Sequence, residues 1–75
     1  MAKSANSFRT GATVRWQWGG GHAEGRVAER FERRVQRTLK GSKIVRNGSE
    51  ENPAYLVEQD DGSKALKLGS ELEAG

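Results

Sequence analysis

Residues 47–72 read NGSEENPAYLVEQDDGSKALKLGSEL, and no other stretch constrains the fold as much. Asn47-Gly48 is a turn signal, Pro53 precedes a short apolar run over 54–57, and Asp60-Asp61-Gly62 is a second turn. A further apolar run over 65–68 and a polar stop follow. Short runs bounded by turn residues at this spacing are the mark of strands in a small all-β domain.

Seventy-five residues make one domain, expected over 8–73 behind a flexible tail at 1–7. A chain of this length buries only about 60% of its unfolded surface, so its core is thin. Hydrophobic residues make up 33% of the chain and glycine supplies 10 positions, which suits a tight barrel better than a helical bundle. Cysteine is absent, which excludes a disulfide framework and a cysteine-ligated zinc and fits a reducing compartment. The first ten residues lack an apolar signal-peptide core, and no apolar run reaches the length of a bilayer. The expectation is a soluble cytoplasmic monomer with no membrane partner.

Along the chain, Phe8-Arg9-Thr10-Gly11 looks like a lead-in turn. Residues 13–18 alternate, with Val14, Trp16 and Trp18 on one face and Thr13, Arg15 and Gln17 on the other, which is a period-2 strand. Gly19-Gly20-Gly21-His22 reads as a flexible loop, and a second strand starts near Glu24 and runs through Val27 to about Phe31. Residues 29–40 admit two readings. Ala28, Phe31, Val35 and Leu39 are spaced as a helical stripe that Gly41 would stop. Alternatively, Val35, Arg37 and Leu39 form one face of a strand that turns at Lys40-Gly41 and returns over 42–46. The β-branched Val35, Thr38, Ile44 and Val45 favour that second reading.

The spaced frame Phe8-x-x-Gly11-x-x-Val14-x-Trp16, Gly25-x-Val27, Asn52-Pro53-x-Tyr55-x-Val57, Asp61-Gly62 and Ser70-x-Leu72 resembles a known bacterial family. It is similar to the small Tudor-like proteins of the hypervirulence-associated protein family, over roughly residues 7–73. The resemblance implies an SH3-like (Tudor-like) barrel of about five bent antiparallel strands, and it selects the hairpin reading of 29–46. Ala12 and the run Gly19-Gly20-Gly21 depart from the family pattern, so no binding residue is carried over from that loop. In such a barrel Val14, Trp16, Val27, Tyr55 and Val57 supply the inward faces. Ile44 and Leu66 or Leu68 are expected to close the ends, and Leu72 to plug the barrel after a short terminal turn.

No catalytic constellation is legible. His22, the single histidine, sits beside glycines with no orienting partner, so neither a metal site nor a catalytic base is expected. The pairs Glu50-Glu51 and Asp60-Asp61 lie in turns, and adjacent residues there do not form an acid–base dyad. The glycine triplet lacks the Lys-Ser/Thr of a phosphate loop. No cofactor and no enzymatic activity are expected.

Charge is divided unevenly. Residues 1–48 carry eleven Lys or Arg and three Glu, while 49–75 carry two Lys and seven Asp or Glu. A basic half attracts phosphates, and arginine suits bidentate phosphate recognition. Trp18 is therefore read as a stacking platform beside Arg15, Arg26, Arg30, Arg33, Arg34 and Arg37, which would track a nucleic-acid backbone. A plain structural role for Trp18, capping one barrel end, competes with that reading. Tudor-like barrels also bind methylated Lys or Arg in cages of rings. Of Phe8, Trp16, Trp18, Phe31 and Tyr55, however, Trp16 and Tyr55 are needed in the core, and Phe8 or Phe31 would have to be exposed. The expected function is nucleic-acid binding, DNA or RNA, with little sequence preference. The alternative is a protein-interaction module that docks a peptide or strand.

Overall fold

Alternation decides the first hairpin. In β1 (Thr13–Trp18) Val14 and Trp16 are buried, while Thr13, Arg15 and Gln17 are exposed. The computed structural model describes residues 7–75, so most of the expected tail (1–6) lies outside the described residues. It pairs β1 antiparallel with β2 (Gly21–Phe31), from Thr13↔Arg26 to Trp18↔Gly21. The loop expected over 19–22 is instead a two-residue turn at Gly19-Gly20, and β2 begins at Gly21 rather than near Glu24.

β2 serves two neighbours because it bends. Its first part pairs with β1, and its second pairs with β5 (Ala54–Glu58) after a register shift between Val27 and Glu29. One extra residue there, Ala28, is a bulge that kinks the strand and raises its twist. At the bend, a Cβ on Gly25 would stand 2.7 Å from the Glu58 carbonyl oxygen and 2.8 Å from Val57 Cγ1. Only glycine lets β5 pass that closely.

β5 then pairs with β6 (Lys64–Leu68), a 3-10 turn follows at Gly69–Glu71, and β7 (Glu73–Ala74) returns to pair with Val14 and Arg15 of β1. The strand order β6-β5-β2-β1-β7 makes the expected barrel of five bent antiparallel strands. Pairing runs beyond residue 73, because the Gly75 N–H donates to the Thr13 carbonyl at 3.0 Å. The 3-10 turn is pinned by Asn52, whose side chain accepts the Ser70 N–H at 2.9 Å and donates to Ser70 Oγ at 3.0 Å. No helix among the described residues is long and apolar enough to cross a membrane.

Between β2 and β5 the chain makes a second, two-stranded sheet from β3 (Arg34–Leu39) and β4 (Ser42–Asn47). The helical reading of 29–40 fails here, because Val35, Leu39 and Ile44 cover the outer face of the β5–β6 hairpin as a pleated arm. The arm rejoins the barrel at Gly48, where a Cβ would stand 2.5 Å from the Phe31 carbonyl oxygen.

Two apolar clusters result. Val14, Trp16, Val27, Tyr55, Val57 and Leu72 fill the barrel, with Phe8, Ala23 and Ala65 packed against them. Phe31, Val35, Ala54, Leu56 and Leu66 lie under the arm, with Leu39, Ile44 and Leu68 beside them. Successive residues of β5 point to opposite faces, so Tyr55 and Val57 enter the first cluster and Ala54 and Leu56 the second. Ile44, Leu66 and Leu68 thus do not close the barrel ends. Without the arm, the outer face of β5 and β6 would leave Leu56 and Leu66 in water. Phe31, weighed as an exposed ring, is buried in the same cluster.

Candidate nucleic-acid interface

The barrel does not close on itself. β7 covers only Val14 and Arg15, so the Trp16–Trp18 end of β1 has a free edge, and β6 is the free edge at the other side of the same sheet. The gap between them is a cleft of about 460 Å³, flanked by the arm tip and the β5–β6 turn. Its floor is apolar, from Trp16, Ala23, Leu66 and Ile44. At its rim stands Trp18, 70% exposed and the one large hydrophobic residue so exposed among those described. Trp18 continues the inward face of β1 past the end of the core, which is why it stays exposed.

Four cationic side chains, Lys40, Arg46, Lys64 and Lys67, line the same cleft against one carboxylate, Asp61. Lys40 is delivered by the arm's turn, where Lys40 and Gly41 both have positive φ (52° and 79°), as a type I′ hairpin turn requires. A lysine in that conformation is strained, and strain of this kind concentrates at functional positions. Hydrogen bonds from the Ser63 N–H, at 2.8 Å, and from its hydroxyl hold the Asp61 carboxyl below the usual carboxylate range, with help from Lys40. Arg46 Nε donates to Glu71 at 3.0 Å and ties the arm to the 3-10 turn. Partial burial pushes the Glu71 carboxyl up. The Leu68 N–H and Arg46 outweigh that push and leave it lowered.

Of the residues predicted from sequence, only Trp18 lies in this cleft. Arg15 and Arg26 sit on the outer face of the barrel within alternating charges. Arg15 is 3.4 Å from Glu73 and faces Glu24 across the ladder, and Arg26 faces Glu58, itself 3.9 Å from Lys64. His22 also approaches Glu73, at 3.9 Å. Arg30 has its pKa raised by hydrogen bonds to Tyr55 and to Glu32, its ion-pair partner. Arg33 and Arg37 lie over the Phe31 ring, and Arg34 opens β3 opposite Asn47. These last residues gather at the far end of β2 from Trp18, so the predicted set is not one surface. Lys40, Arg46, Lys64 and Lys67, which do line the cleft, were not among the residues singled out from sequence. The Lys40-Gly41 turn was legible, but its approach to Trp18 depends on the arm folding back.

The rings do not form a cage. Phe8 meets Tyr55 edge-to-face at 5.7 Å and its N–H donates to the Tyr55 hydroxyl, while Trp16 and Phe31 are buried. Trp18 stands at the cleft without a second exposed ring.

A family model described as hypervirulence associated proteins TUDOR domain matches residues 11–72, which run from the turn before β1 through the arm to Leu72. No curated protein and no solved structure matches the chain.

Proposed function

The chain belongs to the hypervirulence associated proteins TUDOR domain family, and from that premise we propose that it is a small, non-catalytic module that binds single-stranded nucleic acid with little sequence preference. The observation that carries this reading is Trp18, 70% exposed at the rim of a cleft that also presents Lys40, Arg46, Lys64 and Lys67. A base stacks on the open indole face while the cations track the neighbouring phosphates. Every base has a π-face, so such a site tolerates sequence. Arg33, Arg34 and Arg37 extend the positive potential along the arm, and Arg15, Arg26 and Arg30 add to the long-range field. A methylated cation is a poor fit, because one ring replaces a cage and four like charges surround it.

The apolar floor of the cleft favours a second reading, a protein partner that buries Trp18 as its anchor. Titration of labelled single- and double-stranded oligonucleotides at about 50 mM salt separates the two. Saturable single-strand binding is expected, weakened by about 1–3 kcal/mol in Trp18→Ala with the salt slope nearly intact, because stacking releases no counterions. Asp61→Asn, which keeps an acceptor for the Ser63 N–H, should tighten binding. No binding at tens of micromolar protein would leave the protein-partner reading in front.

A further inference from the structure

We infer that Arg33 and Arg37, held over the ring of Phe31, form a preorganised phosphate site at the base of the arm, distinct from the Trp18 cleft. The guanidinium carbons lie 5.3 and 5.0 Å from the same ring centroid. Two like charges on one ring repel each other, and that arrangement calls for a compensating anion. No carboxylate among the described residues forms an ion pair with either. Ion pairs elsewhere in these residues engage Arg15, His22, Arg30, Arg46 and Lys64. The nearest acid along the chain, Glu32, is engaged by Arg30.

Each guanidinium spends one N–H on the backbone, Arg33 on the Arg34 carbonyl at 3.4 Å and Arg37 on the Gln36 carbonyl at 2.8 Å. The remaining donors of two planar forks are free for an oxyanion, and phosphate oxygens match that geometry bidentately. Phe31 is buried and its backbone is fixed by pairing with Ala54, so the platform under both side chains is rigid. Stacking on such a ring limits the rotamer freedom that binding would otherwise have to remove.

The site rests on the nucleic-acid reading and deepens it. Arg37 lies three residues before Lys40 on β3 and directly opposite Ile44, which lines the cleft. Three strand residues span about 10 Å. A single strand whose base stacks on Trp18 would have to run past Lys40 and on along β3 by about 10 Å or more to bring a backbone phosphate to the two arginines.

The test has two arms. In the first, the salt slope for an oligothymidylate of about eight nucleotides is compared in the wild type, R33S/R37S and R33K/R37K. Two lost contacts to a single strand should lower the slope by about 1.4, the lysine pair should keep the slope but bind several-fold more weakly, and all three proteins should unfold alike. An unchanged slope in R33S/R37S, with binding otherwise intact, overturns the phosphate site and leaves the Trp18 reading standing. In the second arm, the arginine Nε–Hε resonances are followed during titration with inorganic phosphate at constant ionic strength. Saturable shifts confined to Arg33 and Arg37 support the site even if no oligonucleotide binds, in which case the phosphate comes from another source such as a phosphopeptide. Shifts shared evenly by all the arginines overturn it.

Discussion

The barrel and the arm are built from the same residue types, yet they are held in different ways. In the barrel, Tyr55 and Val57 meet Val14, Trp16, Val27 and Leu72, residues drawn from both ends of the chain and almost wholly buried. In the arm, β3 and β4 pair only with each other, and only Val35 is fully buried, while Leu39 and Ile44 keep partial exposure. The arm's strand pairing is local and its apolar contact is one-sided, so it belongs to the low-stability end of the molecule. That is also the part that brings Lys40 and Arg46 to the cleft. The barrel sheet holds Trp18, Lys64 and Lys67, and the arm brings Lys40 and Arg46 to them.

The largest effect expected from this contrast is in the barrel. Trp16→Ala should cost about 3–5 kcal/mol through lost transfer energy and a cavity, enough to unfold a domain this small. A urea transition close to wild type would show that the barrel cluster does not carry the fold. In the arm, Val35→Ala removes two buried methyl groups and should cost about 2 kcal/mol. Hydrogen exchange should then accelerate at β3 and β4 while β1, β2 and β5 stay protected. Equal acceleration throughout would mean that arm and barrel are one cooperative unit.

Lys40→Asn sharpens the contrast differently. Asparagine accepts positive φ more readily than lysine, so the arm should gain up to about 1 kcal/mol. Oligonucleotide binding should weaken at the same time, with a salt slope lower by about 0.7 for one lost contact. A gain in both stability and affinity would remove Lys40 from the site.

The smallest effect concerns the Arg46–Glu71 latch. Against the push of its partial burial, the folded Glu71 carboxyl is lowered first by the Leu68 N–H and then by Arg46. The Arg46 contact thus adds stability to the arm that is fully present above the ordinary glutamate range. That contribution is lost as pH falls through the folded value. Both side chains are partly exposed, so it should stay below about 1 kcal/mol. Faster exchange at β4 in acid, abolished by Glu71→Gln, is the expected signature. An arm indifferent to pH in the wild type would show that the apolar cluster alone holds it.

Much of the barrel was legible because its grammar is local. The alternation of residues 13–18, the turn at Asp61-Gly62 and the frame around Tyr55 each report on their own neighbours. The second cluster was not legible, since Leu56 and Leu66 show that β5 and β6 are covered on both faces only when the arm is in place. The cleft was not legible in sequence for a related reason. Arginine density along residues 26–37 suggested one basic face, but the bend at Ala28 and the length of β2 carry those residues away from Trp18. The cations that do meet Trp18 are mostly lysines from turns and edges, far apart in the chain.

The two tryptophans offer the most direct test. Trp16 is buried and Trp18 is 70% exposed, so their indole N–H resonances report separately on core and cleft. On adding a single-stranded oligonucleotide of about eight nucleotides at about 50 mM salt, the Trp18 indole should shift saturably together with the amides of Lys40, Lys64 and Lys67, while Trp16 moves little. Shifts confined to the outer-face strand around Arg15 and Arg26, or no shift at all, would contradict the assignment of the cleft as the nucleic-acid site.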